Sequence, residues 1–112
     1  MSKYPLIKQK EEKLIRDKIP DLIEADGETR NIRRFEDKDE LLGFVRKKIL
    51  EEALEVTEAV SRDDITEELG DLLEIIEKYG ELHSITLIDM LKAAEAKAER
   101  AGFFEEGFIL EL

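Results

Sequence analysis

The sequence predicts an all-α fold, and three observations support this prediction. Apolar residues recur at intervals of three and four along two long segments, which is the spacing of one helix face. Only 6 of the 112 residues are glycine and 2 are proline, so few positions interrupt a helix. Short strands are suggested only by residues 29–35 and 107–110, so we expect at most a minor β pairing.

A short helix is predicted first, and a longer one follows it. Pro20 suits the first turn of the short helix, because its missing N–H would be unpaired there anyway. Gly27 suits the left-handed residue that closes this helix. The longer helix is predicted to start after Asp37. Its apolar stripe consists of Leu42, Val45, Ile49, Ala53, Val56 and Val60.

Two further long helices are predicted after a tight turn at residues 61–63. Ser61 is a typical N-cap for the first of them, which the chain enters at residues 66–67. The apolar stripe of this helix consists of Ile65, Leu69, Leu72, Leu73, Ile76 and Tyr79. The last helix is predicted to begin near Thr86, with Asp89 placed for a capping box, and to end at Gly102.

Three helices of this length bury little core, and each apolar stripe is wider than one neighbouring helix would cover. We therefore expect a helical bundle whose core is completed by association into a homodimer or homotetramer. The length fits one domain spanning residues 1–112.

The composition excludes several classes of protein. A net charge of -11 argues against binding to a DNA or RNA duplex or to a membrane surface, because both require a basic face. The chain has no cysteine and 1 histidine, so thiolate catalysis, disulfides and histidine-rich metal centres are excluded. No apolar run approaches the roughly 18 residues of a membrane span, and no signal-peptide core is present. The expected location is the cytoplasm.

Four acids on the two central helices are expected to converge. At about 100° per residue, Glu52 and Glu55 lie roughly 70° and 130° from the middle of their helix's apolar stripe. Glu68 and Asp71 lie roughly 75° and 135° from theirs, in the same rotational sense. The short turn makes the two helices antiparallel, so all four side chains project to one side. Glu55 and Glu68 are each roughly 8 Å along their helix from the connecting turn. Glu52 and Asp71 each lie one helical turn further away, so they too are at the same level.

Convergent carboxylates repel one another unless a cation or protons compensate their charge. Oxygen ligands without histidine or cysteine favour Mg²⁺, Mn²⁺ or Ca²⁺ over zinc or copper. Because Mg²⁺ retains water and accepts substrate phosphates as further ligands, the pattern suits phosphate chemistry. The alternative is that these acids are solvated side chains flanking a helix stripe, which is common in so acidic a chain.

The same acids resemble a known motif. Residues 51–55 (EEALE) and 68–71 (ELGD) resemble the EExxE…ExxD signature of the MazG-like nucleoside triphosphate pyrophosphohydrolases, a superfamily that includes the phosphoribosyl-ATP pyrophosphohydrolases. Residues 13–20 (KLIRDKIP) and 24–27 (EADG) are similar to the opening of small stand-alone members. The resemblance extends over nearly the whole chain, including the basic end of the last helix.

The resemblance implies an all-α oligomeric enzyme that hydrolyses a nucleoside triphosphate to a monophosphate and pyrophosphate with Mg²⁺, or with Mn²⁺ in its place. It implies that Glu52, Glu55, Glu68 and Asp71 ligate the metal. Glu52 or Glu55 is the candidate general base. Removal of non-standard nucleotides is one role that fits. Two alternatives remain. The first is a phosphoribosyl-ATP pyrophosphohydrolase of histidine biosynthesis, although the chain lacks the glycine that this group has just before the acid pair. The second is a non-catalytic nucleotide-binding or assembly protein.

Basic residues are the candidates for contacting the substrate: Lys48, Lys97, Arg100, Arg16 and Lys18. Lys48 is expected on the same side of its helix as Glu52, where it either reaches phosphate or forms an ion pair with that acid. The two residues of the last helix either clamp phosphate or stabilise the helix C-terminus. The two N-terminal residues either contact phosphate or a second subunit, or belong to a structural loop.

Overall fold

The computed structural model of the protein describes residues 11–112. Four helices follow one another: α1 (Ile19–Ala25), α2 (Lys38–Glu58), α3 (Arg62–Glu81) and α4 (Leu87–Ala101). The all-α prediction is confirmed. Within residues 11–112 no strand forms, and both segments considered for a β pairing are irregular.

The helix ends follow the capping residues that the sequence suggests. Asp37 precedes α2, and its side chain accepts a hydrogen bond from the backbone N–H of Glu40. Thr86 and Asp89 form a reciprocal capping box at the start of α4. The α1 helix has proline in its first turn and is followed by Gly27 at φ 77°, a left-handed conformation that glycine adopts without strain.

The turn between α2 and α3 comes slightly earlier than predicted, at residues 59–61 rather than 61–63. Ser61 is the N-cap, its hydroxyl accepting from the backbone N–H of Asp64, so α3 begins at Arg62, within the predicted turn. Two acids in the first turn, Asp63 and Asp64, favour this earlier start because they lie at the positive end of the helix dipole. The short connection makes α2 and α3 an antiparallel pair. Among the described residues, this is the pair of helices that packs together extensively.

The face of α2 that packs against α3 differs from the predicted stripe. Its buried residues are Leu41, Val45 and Glu52, which places the centre of the face roughly 60° around the helix from the predicted centre. Val60, the last residue of that stripe, is 90% exposed because α2 has already ended. A carboxylate therefore occupies the middle of the packed face, where the sequence pattern alone placed apolar side chains.

Much apolar surface stays uncovered. Leu50 and Leu54 on α2, and Ile88 and Leu91 on α4, are more than half exposed. The segment after α4 is more exposed still: Phe103 is 75% and Phe104 is 99% exposed, so neither side chain belongs to a core of the single chain. Within the described residues, no helix is long and apolar enough to cross a membrane.

Candidate metal centre

Three acids of the predicted quartet meet between α2 and α3. Glu52, Glu55 and Glu68 each offer a carboxylate oxygen, and these oxygens lie within 4.8 Å of one another. Glu52 and Glu55 are three residues apart and therefore share one side of α2, while Glu68 faces them from the antiparallel α3. The short turn fixes the position of the two helices along their common axis, so the three side chains lie at the same level.

Glu52 is the most deeply buried acid of the described residues. Its side chain is 9% exposed, and its Oε2 atom is buried without a hydrogen-bond partner. The Oε2 atom of Glu68 is buried and without a partner as well. An oxygen withdrawn from water without a compensating bond costs free energy, so both atoms are oxygens to which a cation could bind favourably.

The surroundings of Glu52 oppose its ionisation. Burial raises its pKa most, and the adjacent carboxyl group of Glu55 and the charge of Asp71 raise it further. Lys48 acts in the opposite direction, since its Nζ atom is 3.5 Å from Oε1 of Glu52. The net result is a carboxyl group whose pKa lies above its usual range, as expected for an acid placed among acids with only one cation beside it.

Asp71, the fourth acid of the predicted quartet, is next to the trio but has a different partner. Its Oδ1 atom accepts a hydrogen bond of 2.8 Å from Nη2 of Arg16, a residue of the segment before α1. The same guanidinium binds both carboxylate oxygens of Glu74, one turn further along α3, at 2.9 and 3.2 Å. These contacts raise the pKa of Arg16 and lower that of Glu74, chiefly through the hydrogen bonds between the two residues.

Glu51 lies outside the trio, because it is one residue, or about 100°, away from Glu52 around α2. Its Oε1 atom is 3.4 Å from Nζ of Lys48 and 3.9 Å from Nζ of Lys13. Lys48 thus bridges Glu51 and Glu52, which shows the ion pair that was one of its two predicted roles. Glu51 and Glu52 are neighbours in the sequence, yet only Glu52 belongs to the acid trio.

The other predicted substrate contacts are exposed cations that form no ion pair with the trio among the described residues. Lys97 and Arg100 are exposed on α4, which does not pack extensively against α2 or α3. Lys18 is exposed at the N-cap position of α1. Their roles in substrate binding remain predictions.

Sequence reasoning missed the electrostatic attachment of the N-terminal segment to the α2–α3 pair. Lys13 contacts Glu51, and Arg16 joins Asp71 to Glu74. The available signal was the density of basic residues in 13–18 of an otherwise acidic chain. That signal does not specify partners, because an irregular segment has no period from which the direction of a side chain follows.

Comparison of the chain with protein-family models, with curated proteins and with solved structures found no match.

Proposed function

We propose that the protein is a Mg²⁺-dependent nucleoside triphosphate pyrophosphohydrolase of the MazG-like type, cutting between the α- and β-phosphates. One observation carries the proposal: the buried Glu52, with an unpartnered oxygen, stands within an acid trio that offers oxygen ligands only. The motif resemblance at residues 51–55 and 68–71 supports the same assignment independently of this burial.

The donor set fits a hard divalent cation. The trio with Asp71 beside it supplies carboxylate oxygens without nitrogen or sulfur, which is the chemistry that Mg²⁺ and Mn²⁺ prefer. Glu52, Glu55 and Glu68 would hold the cation, and Asp71 is close enough to raise the pKa of Glu52. A bound divalent cation supplies neutralisation of phosphate charge and a more acidic coordinated water.

The chain's own residues have separable tasks in this proposal. Glu52 and Glu55 are the candidate bases, since a carboxylate not committed to the cation can accept the proton of the attacking water. Lys48 favours the ionised form of Glu52 and thereby keeps it competent as a ligand or base. The exposed cations Lys18, Lys97 and Arg100 are the candidates for holding phosphate oxygens.

We also propose that the active form is a homodimer or homotetramer in the cytoplasm. Only Leu41 and Val45 are buried apolar residues among those described, whereas large side chains remain exposed on α2, α3, α4 and the tail. So many exposed large apolar side chains, with so small a buried core, favour association of the chain with further copies of itself. Sedimentation equilibrium should therefore give a multiple of 13.0 kDa, and a concentration-independent monomer would contradict the proposal.

The reaction is tested by its products. Purified protein should be incubated with a panel of canonical and modified nucleoside triphosphates and with phosphoribosyl-ATP, each with Mg²⁺ and with Mn²⁺. Pyrophosphate and orthophosphate should be measured separately. We expect a monophosphate and pyrophosphate as primary products, with inhibition by an analogue blocked at the α–β linkage and continued cleavage of one blocked at the β–γ linkage.

The same assay distinguishes the alternatives. Orthophosphate as the primary product would contradict pyrophosphohydrolase activity. Turnover of phosphoribosyl-ATP alone would assign the histidine-biosynthetic reaction. Nucleotide binding without turnover of any substrate, under both metals, would favour the non-catalytic binding protein.

A further inference from the structure

Arg16 joins the N-terminal segment to an acid beside the trio. Its Nη2 atom lies 2.8 Å from Oδ1 of Asp71, and its Nη1 atom lies 2.9 Å from Oε2 of Glu74. The attachment is unequal: both oxygens of Glu74 bind the guanidinium, whereas Asp71 contributes one. Glu74 therefore anchors Arg16, and Asp71 is the weaker of its two partners.

Asp71 is also the one acid of the predicted quartet that stands outside the close trio. Its carboxylate already has a guanidinium, shared with Glu74, as a partner, whereas buried oxygens of Glu52 and Glu68 have no hydrogen-bond partner. An arginine and a divalent cation are alternative counter-charges for one carboxylate, and the two cations repel each other when close.

We propose that Arg16 is a displaceable counter-charge: a divalent cation at the trio takes Asp71 from Arg16, whose freed N–H groups then bind a phosphate of the substrate. This inference rests on the proposed function and adds an exchange of partners to it. Glu74 keeps the guanidinium beside the site throughout the exchange. A planar guanidinium offers the forked donors that suit phosphate oxygens.

The exposure of the contact makes the exchange inexpensive. The side chains of Arg16 and Asp71 are 55% and 31% exposed, and ion pairs near water contribute only about 0–1 kcal/mol. Water can solvate the guanidinium as soon as it leaves Asp71. A divalent cation, in contrast, carries twice the charge of the guanidinium, so its attraction to the Asp71 carboxylate at close range is stronger.

The first test uses Mn²⁺ alone, titrated calorimetrically into the wild type, Arg16→Gln and a matched control, Arg33→Gln. Arg33 also binds the N-terminal segment, through Glu12, and its second partner is Glu40. Glu40 lies 12 residues before Glu52, or roughly 18 Å along α2, so the control removes the same charge away from the trio. We expect Arg16→Gln to bind Mn²⁺ roughly three- to tenfold more tightly, because it removes a competing cation, and Arg33→Gln to resemble the wild type.

The second test measures binding of inorganic tripolyphosphate to the Mn²⁺-saturated proteins. Arg16→Gln should bind it several-fold more weakly, although it binds the metal more tightly, and Arg33→Gln should again resemble the wild type. Unchanged or weaker Mn²⁺ binding by Arg16→Gln would overturn the exchange, and unchanged tripolyphosphate binding would overturn the phosphate contact. Absence of Mn²⁺ binding by the wild type would overturn the proposed metal centre itself, so the two failures are distinguishable.

Discussion

Glu52→Gln is expected to stabilise the metal-free protein and, at the same time, to abolish its stabilisation by Mg²⁺ at concentrations that just saturate the wild type. The wild type keeps a carboxylate with a buried, unpartnered oxygen among other acids. A buried group without its bond costs about 1–3 kcal/mol, and a neutral amide removes the repulsion between charges. In the wild type, binding of a cation offsets this destabilisation. A free Mg²⁺ concentration of 100 times the dissociation constant stabilises the folded state by about 2.7 kcal/mol.

The pH dependence gives the sign of the effect. Because the pKa of Glu52 is raised in the folded chain, the folded state holds this proton more tightly than the unfolded state does. The contribution of Glu52 to the free energy of unfolding is therefore greatest at a pH below the usual pKa range of a carboxyl group. It falls as the pH rises through the raised pKa. The advantage of Glu52→Gln over the wild type should be small in acid, grow across this interval and then level off.

Denaturant melts from pH 4 to pH 8, with and without Mg²⁺, measure both effects. Glu51→Gln is the matched control, since Glu51 is adjacent in sequence but forms ion pairs with Lys13 and Lys48 outside the trio. This control should gain no stability without metal and should keep its response to Mg²⁺. A Glu52→Gln protein that is less stable than the wild type without metal, or is stabilised by Mg²⁺ as strongly as the wild type at the same concentrations, would remove Glu52 from the centre.

The convergence of acids follows from local rules that the sequence displays. Glu52 and Glu55 share a helix side because they are three residues apart, and Ser61 caps α3 so soon after α2 that the helices must be antiparallel. Equal distances from that turn bring Glu68 level with Glu55. None of these steps depends on distant contacts, which is why the trio could be predicted before the fold was known.

The face of α2 that packs against α3 could not be predicted in the same way. A stripe drawn through apolar residues assumes that the packed face is apolar, but Leu41 and Glu52 belong to that face and Val60 does not. The acids consequently lie nearer the middle of the packed face than the wheel suggests, and Glu52 is more buried than a flanking acid would be. Burial of an acid at the cost of apolar contact is the kind of local inconsistency expected at a functional site.

Contacts of irregular segments were equally inaccessible. Arg16 reaches Asp71 and Glu74 from more than fifty positions away, and no periodicity assigns a partner to such a residue. The exposure of Phe104 was not predictable for a related reason, because an apolar residue in an irregular tail has no period that shows whether it packs on the helices or stays at the surface. In both cases the outcome depends on tertiary contacts, which no local pattern encodes.

The catalytic counterpart of the Glu52 prediction separates two adjacent residues of one motif. Glu52→Gln should lower kcat at least roughly a hundredfold, because a ligand or general base of the reaction is lost. Glu51→Gln should lose much less, since Glu51 points about 100° away around α2 and its partners are Lys13 and Lys48 rather than the trio. Initial rates of pyrophosphate release over a range of Mg²⁺ concentrations measure the two variants with the best substrate of the panel.

The dependence on Mg²⁺ makes this comparison decisive. If Glu52 holds the cation, part of the loss in Glu52→Gln should be recovered at high Mg²⁺, whereas the loss of a general base should persist at saturation. Glu51→Gln should saturate at the Mg²⁺ concentration of the wild type, because the trio is intact in that variant. Equal losses in the two variants would contradict the arrangement in which Glu52 alone of the pair joins Glu55 and Glu68, and would assign Glu51 a direct part in the reaction.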